Sequence, residues 1–401
     1  MIENSIVYRD FKSKYEYLPL SKAEGAELWD KNGKRYIDFT SAWNVTNLGW
    51  NHPEINEAIV QQTKKNVHGL LWGSDPIQEE YAAALTAALP KELDACVKET
   101  GGTESIEVSI KIARTYTGRK KILGFKGLYH GQLFASLALG SSPESPEKFA
   151  PLVPEITAIG FPQESIGKEG FDKFISELDT LLSKEDVAAI VTEPGIITGW
   201  GSTLIAYPGF LAKIRELTKK YGTLLIVDEV GTGFSRTGKL FGIQHENVVP
   251  DMIAFAKGIS NGAAAIGTVV GQSKVFEQAF NDAVLISTFG WAPIACAAAL
   301  KTLQIHQRDK TWEMSEQKGT YIMEKLKAYI GGIVVDVRGK GMEIGLQFKD
   351  AETCAEVRRK AFVGGLHVIV GSKDNMQIMP PLTISQELLD EGLEILTSHL
   401  K

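Results

Sequence analysis

Two charged residues of this 401-residue chain stand at the ends of apolar runs, where a side chain can take part in chemistry. Asp228 ends the run LLIVD, and Lys257 follows the run MIAFA. Apolar surroundings lower the pKa of a lysine and make its amine nucleophilic. A carboxylate at the carboxyl end of a buried parallel strand lies where α/β sheets bind ligands. Taken singly, Asp228 could equally cap a helix or pair with an arginine, and Lys257 could be an ordinary solvated lysine.

A glycine-rich segment supplies a third candidate. Residues 99–104 read ETGGTE and open the helix-like run SIEVSIKIAR. Gly102 and Thr103 would offer backbone N–H groups and a hydroxyl at the positive end of a helix dipole, which suits a phosphate. A plain helix cap has the same pattern. A reactive lysine, an acid that keeps a ring nitrogen protonated and a phosphate cradle together predict a site for pyridoxal 5'-phosphate (PLP).

The elements that must position these residues alternate between strand-like and helix-like runs, which favours an α/β fold with a mostly parallel sheet. After about residue 300 the pattern changes to a small α+β lobe. A hairpin over residues 27–39, with its turn at Asn32-Gly33, is too small to fold alone and should pack on that lobe or on a partner subunit. We therefore predict an N-terminal segment of the small domain (1–48), a large cofactor-binding domain (49–300) and a C-terminal small domain (301–401). Strands are predicted at 121–125, 187–192, 223–227, 252–256 and 266–271, and helices at 53–66, 103–116 and 208–221.

Bulk composition narrows the class of partner. The formal net charge is -6 and the charged fraction is 23%, so electrostatics give no reason to expect nucleic acid or an anionic membrane. No run approaches the roughly 20 apolar residues of a membrane span, and no pattern of metal ligands is visible. The three cysteines, Cys96, Cys296 and Cys354, are widely spaced, which is typical of reduced thiols in the cytoplasm.

At this point the motifs resemble a known family. The stretches IVDEVGTGFSRTGKLFG and PDMIAFAKGISNG resemble the class III (ω- or ornithine-type) aminotransferases, of fold type I among PLP enzymes. The resemblance covers residues 27–381. It implies a large domain with a mostly parallel seven-stranded sheet flanked by helices, a small α+β domain, and a homodimer with a shared active site. It also implies transfer of an amino group from an amine donor to a keto acid or aldehyde through a Schiff base at Lys257.

The resemblance assigns a role to each residue that matches the family's motifs. Lys257 forms the Schiff base and moves the proton, Asp228 pairs with the pyridinium nitrogen, and Glu193 lies near the cofactor hydroxyl. Glu193 could instead be a strand-end carboxylate with a structural bond, and His130 a satisfied polar histidine. Val230 and Tyr129 contact the two faces of the ring, and His130 completes the LYHG motif. Gly102 and Thr103 bind the phosphate, and Thr288 reaches the phosphate of the neighbouring subunit.

Three further residues bear on the substrate. Trp43 is either a wall of the substrate entrance or a core tryptophan, and Trp291 is expected to narrow the pocket from across the interface. Relatives that act on α-amino acids place an arginine before the Pro380-Pro381 pair to clamp the carboxylate, but Gln377 stands there. This difference favours an amine, ω-amino, amino-aldehyde or amino-sugar donor.

Other reactions on the same scaffold stay open at the level of sequence. An aminomutase of the glutamate-1-semialdehyde type and an amino-acid racemase or epimerase would share the cofactor motifs. A transaminase requires an added acceptor, whereas an isomerase does not. A non-catalytic relative would be expected to have lost Lys257 or Asp228, and both are present.

Overall fold

Seven strands form the central sheet of the structure, a computed structural model that describes residues 18–70, 73, 75–140, 150–199, 202–371 and 373–401. Five neighbouring strands run parallel, and Gly267–Gly271 runs antiparallel to the strands on both sides. The α/β fold with a mostly parallel sheet is thereby confirmed. In spatial order the strands are Ala95–Glu99, Gly267–Gly271, Met252–Phe255, Leu224–Asp228, Val187–Thr192, Lys121–Phe125 and Ile156–Ile159.

The three middle strands of this sheet are buried along their whole length, which explains their continuous apolar sequences. Every residue of Val187–Thr192, Leu224–Asp228 and Met252–Phe255 is buried, because helices cover both faces of the sheet. The main helices of this layer are Pro53–Thr63, Pro76–Ala87, Gly102–Thr117, Gly167–Leu182, Phe210–Tyr221, Ser273–Asp282 and Pro293–Asp309.

The N-terminal hairpin and the C-terminal lobe share one hydrophobic core. Ile37 and Phe39 pack in the same cluster as Phe348, Leu366 and Leu389. Strands Leu20–Glu24, Glu27–Asp30, Arg35–Asp38 and Leu366–His367 form one sheet, and Val334–Lys340, Glu343–Phe348, Asn375–Ile378 and Ile369–Val370 form another. The helices of the lobe are Thr311–Lys327, Ala351–Val363 and Gln386–Thr397.

A short turn between the hairpin and the first long helix has an unusual backbone. The φ angles of Ser41, Ala42, Trp43 and Asn44 are 44°, 48°, 67° and 64°. Left-handed backbone costs an L-residue roughly 1–2 kcal/mol, and none of the four is glycine. Such a turn persists only where its surroundings hold it in place.

Among the described residues, none of the helices has the length and apolar content needed to cross a bilayer. The same residues contain no cluster of three or more histidine, cysteine or acidic side chains that could hold a metal ion.

Candidate active site

Asp228 is the last residue of its strand and is buried at the carboxyl edge of the sheet. Its Oδ2 lies 2.7 Å from Nδ1 of His130, and its Oδ1 accepts a 2.9 Å hydrogen bond from the backbone N–H of Val230. A buried carboxylate is costly unless it is paired in this way. These bonds fix the carboxylate at the sheet edge.

Lys257 follows the neighbouring strand and faces the same edge. Its backbone is left-handed, with φ of 50°, which is uncommon for a residue other than glycine. Burial lowers the pKa of its ammonium below the ordinary 10.5, and the carboxylates of Glu193, Asp228 and Glu343 oppose part of that change. The amine is therefore more readily deprotonated, and so more nucleophilic, than that of a solvated lysine.

A cavity of about 460 Å³ lies between these two side chains, a volume typical of a small-molecule site. Every residue predicted to contact the cofactor within one subunit borders it: Gly102, Thr103, Tyr129, His130, Glu193, Asp228, Val230 and Lys257. The fold thus brings these predicted residues together, although they come from five separate stretches of the chain.

The amino end of the helix Gly102–Thr117 points into the cavity as an anion site. No side chain of the described protein caps this helix end, so its first backbone N–H groups stay available to a ligand. A Cβ atom at Gly102 would lie 3.0 Å from the Val230 side chain, and one at Gly131 would lie 2.6 Å from the Thr103 side chain. Both glycines therefore keep this corner open.

Glu193 contributes a buried carboxylate with one free oxygen. Its Oε2 accepts hydrogen bonds from the backbone N–H of Thr198 at 2.8 Å and from the Thr198 hydroxyl at 2.7 Å. Among the described residues, no group forms a hydrogen bond with its Oε1. Burial, and to a smaller degree the charge of Asp228, raises the pKa of Glu193 to about 8. The free oxygen can meet a hydroxyl or an N–H of a bound molecule.

Trp43 and Gln377 lie just behind the cavity wall and contact each other. The indole Nε1 of Trp43 donates a 3.1 Å hydrogen bond to Oε1 of Gln377. The Gln377 amide nitrogen donates to Oε1 of Glu343 at 2.9 Å and to the backbone oxygen of Thr198 at 3.2 Å. Glu343 and Thr198 were not identified from the sequence. The alternating pattern of MEIGLQF, which turns Glu343 away from the apolar face, was the available signal.

Two further predicted site residues also do not border this cavity. Thr288 is exposed and borders a separate small depression with His68 and Leu70. Trp291 is buried in the core of its own subunit, with its ring 4.9 Å from that of Tyr81 and its Nε1 donating to the backbone oxygen of Gly267 at 3.0 Å. The ring of Trp291 therefore cannot narrow a pocket across an interface, which corrects the expectation from sequence.

These features fit PLP. The free helix end suits its phosphate, the buried carboxylate Asp228 suits a protonated ring nitrogen, and the unpartnered oxygen of Glu193 suits its hydroxyl. The cofactor would supply an aldehyde for attachment to an amine and a ring that accepts electrons.

Comparison with known proteins agrees with this fit. Residues 10–400 match the family model described as aminotransferase class-III. The chain is 35% identical over 383 residues to an acetylornithine aminotransferase of Methanopyrus kandleri, covering 95% of this chain and 94% of the relative. It is 33% identical over 397 residues to the acetylornithine aminotransferase of Aquifex aeolicus, covering 97% and 99%.

Solved structures show the same relationship. An (S)-enantioselective omega-transaminase from Thermomicrobium roseum superimposes with a TM-score of 0.90 at 31% identity, covering 100% of this chain and 96% of that chain. The ornithine aminotransferase of Toxoplasma gondii, described with PLP at its active site, superimposes with a TM-score of 0.87 at 25% identity, covering 97% and 91%.

The fold and the cavity define a PLP enzyme of fold type I. The chain belongs to the class-III aminotransferase family. It is a PLP-dependent aminotransferase, which takes an amine donor and a keto acid acceptor.

Proposed function

We propose that the residues around the cavity divide the work of PLP-dependent amino transfer among them. Lys257 attaches the cofactor through its amine and then carries the proton at the substrate carbon. Asp228 would hold a proton on the ring nitrogen, and Glu193 would accept a hydrogen bond from the ring hydroxyl. Tyr129 and Val230 would contact the ring, and Gly102 and Thr103 would hold the phosphate. The support is that these side chains border one cavity.

We propose further that the preferred donor carries its amine on a carbon without a carboxylate. The observation that carries this proposal is the neutral amide of Gln377, fully buried and hydrogen-bonded to Trp43, Glu343 and Thr198. No arginine borders the cavity within the described residues. A carboxylate at the reacting carbon would therefore lack a bidentate partner there.

The cations of the site also disfavour an acidic donor. Lys257 is the lysine that borders the cavity, and it is proposed to attach the cofactor. Among the described residues of the wall, no other lysine or arginine is left to pair with a donor carboxylate. The names of the relatives, acetylornithine aminotransferase and omega-transaminase, agree with a donor that reacts at a terminal or side-chain amine.

A matched pair of donors tests this proposal. In a single half-reaction, 2-phenylethylamine is expected to deplete the absorbance band of the attached cofactor about 10- to 100-fold faster than phenylalanine. The carboxylate of phenylalanine would be left without a charged partner, at a cost of about 1.5–3 kcal/mol. Ornithine is expected to react at its side-chain amine. Stopped-flow absorbance gives the rates, and mass spectrometry of the ornithine product identifies the carbon that lost nitrogen.

2-Phenylethylamine is the control for phenylalanine, because the two donors carry the same side group and differ in the carboxylate. Phenylalanine reacting as fast as 2-phenylethylamine, together with ornithine losing its α-amine, would overturn the donor proposal. Turnover of either donor should also require an added keto acid or aldehyde, as transamination does and isomerisation does not.

We propose that two copies of the chain form a homodimer with shared active sites. An exposed apolar surface, formed by Val67, Leu70, Val284, Ile286 and Phe289, lies on two neighbouring segments. Contiguous apolar surface of this kind is typical of an interface. Thr288 lies within it, so a partner subunit covering this surface would meet Thr288, consistent with the expected reach to that subunit's phosphate.

Replacing Phe289 with aspartate is expected to weaken the dimer by about 100-fold or more, because a carboxylate would be buried without a partner. Light scattering coupled to size-exclusion chromatography measures the mass over a dilution series. Val363→Asp is the matched control, since Val363 is 63% exposed and Phe289 is 68% exposed. A monomeric parent protein, or a Phe289→Asp variant that dissociates no more than Val363→Asp, would exclude this interface.

We also propose a cytoplasmic location. The three cysteines are unpaired, and Cys296 and Cys354 are buried thiols. Unpaired buried thiols are typical of a reducing compartment.

A further inference from the structure

The left-handed turn of residues 41–44 is held by side-chain bonds to distant parts of the chain. The Ser41 hydroxyl donates to the backbone oxygen of Met379 at 2.8 Å and accepts from the guanidinium of Arg236 at 3.0 Å. The Asn44 amide donates to Oε2 of Glu343 at 2.8 Å. Strained backbone that is fixed by several partners marks a position where a side chain must be held in place.

Glu343 accepts one of these bonds, from Asn44, and another from Gln377, the partner of Trp43. It is fully buried and accepts hydrogen bonds from Asn44, from the Thr203 hydroxyl at 2.8 Å and from Gln377 at 2.9 Å. The amide nitrogen of Gln377 also donates to the backbone oxygen of Thr198, which can only accept. Because Glu343 and Thr198 both accept from this nitrogen, the amide oxygen of Gln377 is left to face Trp43.

The orientation of Gln377 in turn fixes the ring of Trp43. The indole N–H can only donate, so it needs the amide oxygen that Glu343 and Thr198 leave facing it. Trp43 is two residues before Val45, which borders the catalytic cavity, and the backbone oxygen that Gln377 contacts belongs to Thr198, which borders it too. The ring is thus held next to two segments that border the cavity.

We propose that Glu343 is a positioning residue that holds Trp43 in place, through Gln377 and through Asn44, and thereby sets the size of donor that the cavity accepts. This inference rests on the proposed function and on the expectation from the sequence that Trp43 is a wall of the substrate entrance. It does not depend on which amine is the natural donor.

Glu343→Gln tests the inference because it keeps the size of the side chain and adds a donor. Its amide nitrogen would face the amide nitrogen of Gln377, or that of Asn44, which would then have to turn its oxygen, unpartnered among the described residues, toward the new amide. Turning Gln377 around to relieve that clash would place two donors, its own nitrogen and the indole N–H, against each other. We expect the kcat/KM ratio between a bulky and a small amine to change by about five- to tenfold, the size of one hydrogen bond.

A double-mutant cycle with Trp43→Phe separates positioning from a general structural role. If Glu343 acts through Trp43, Glu343→Gln is expected to have no further effect on that ratio in the Trp43→Phe background. A second measurement, of tryptophan fluorescence, needs no turnover. The emission that Trp43→Phe removes from the parent protein belongs to Trp43, and Glu343→Gln should shift that same component.

Glu229→Gln is the matched control for loss of a buried carboxylate. Glu229 is fully buried and accepts hydrogen bonds from Thr232 at 2.5 Å and from the backbone N–H of Ile243 at 2.7 Å, away from the turn. Its replacement is expected to lower the melting temperature without shifting the emission of Trp43.

Additive effects of Glu343→Gln and Trp43→Phe, or an unshifted Trp43 emission, would overturn the inference. If Glu343→Gln does not fold, Gln377→Met interrupts the same path and carries the same expectations. The coupling is measured with whichever amine is turned over. It can therefore fail while the donor proposal holds, and hold while the donor proposal fails.

Discussion

Lys257→Ala is expected to abolish turnover, by a factor of about 10⁴ or more, because one side chain both attaches the cofactor and moves the proton. No other lysine borders the cavity in the described part of the chain. Borohydride reduction of the parent protein with PLP should leave a mass adduct on the peptide that contains Lys257. The variant should lack the adduct and the absorbance band of the attached cofactor.

Lys318 is an internal control for this experiment. Burial lowers its pKa as it lowers that of Lys257, but Lys318 donates to the backbone oxygen of Leu382 at 3.0 Å and lies outside the cavity. An adduct on Lys318 would show that desolvation alone selects the amine. Retention of more than a few per cent of the parent rate by Lys257→Ala would also contradict the assignment.

The pH dependence of PLP attachment to Lys257 follows from the direction in which the pKa of this lysine is shifted. The neutral amine is the reactive form, and it predominates above the pKa. Because the pKa of Lys257 is lowered, adduct formation in the apoprotein should become half-maximal below pH 10.5. An exposed lysine such as Lys168, whose pKa is raised through its hydrogen bond to Asp172, should react only at higher pH.

The sequence predicted Lys257 and Asp228 because each ends a continuous apolar run. A buried parallel strand must be apolar along its length, so a charged residue at its carboxyl end stands out. The same logic predicted the strand Val187–Thr192, and with it the position of Glu193 directly after the strand. The residues predicted to contact the cofactor can therefore be found from the local sequence pattern together with the family motifs.

Two strands of the central sheet escaped prediction for a related reason. Ala95–Glu99 carries a lysine and a glutamate and is only partly buried, and Ile156–Ile159 lies at the edge of the sheet. Neither has the continuous apolar run or the strict alternation that marks a strand in a sequence. Both strands are assigned by their pairing with neighbours that lie elsewhere in the chain.

The contacts around Trp43 and Gln377 could not be predicted, because they join segments that are distant in the sequence. Trp43 and Gln377 are 334 positions apart, and Asn44 and Glu343 are 299 positions apart. The left-handed turn contains no glycine that would have signalled it. The expectation that Trp291 narrows the pocket failed for the same reason, since the local sequence does not indicate that its ring packs on Tyr81.

Asp228 offers a test of charge that leaves the shape of the site nearly intact. In Asp228→Asn the amide oxygen can still accept from the backbone N–H of Val230, and the amide nitrogen can donate to Nδ1 of His130. That change requires the His130 proton to move to Nε2, which has no hydrogen-bond partner in the part of the chain that the structure describes. The variant should therefore fold, with a modest loss of stability.

Asp228→Asn is expected to lower kcat by about 10²- to 10³-fold, because a neutral amide cannot hold a proton on the ring nitrogen as a carboxylate does. Single-turnover absorbance with a good amine donor measures the chemical step apart from donor binding. Asp251→Asn is the matched control, since Asp251 pairs with Arg215 at 2.6 Å and with the backbone N–H of Leu225 at the opposite end of the same strand. It should lose stability and keep kcat within about threefold. Equal loss of kcat in both variants would mean that sheet integrity, and not the charge at position 228, limits the reaction.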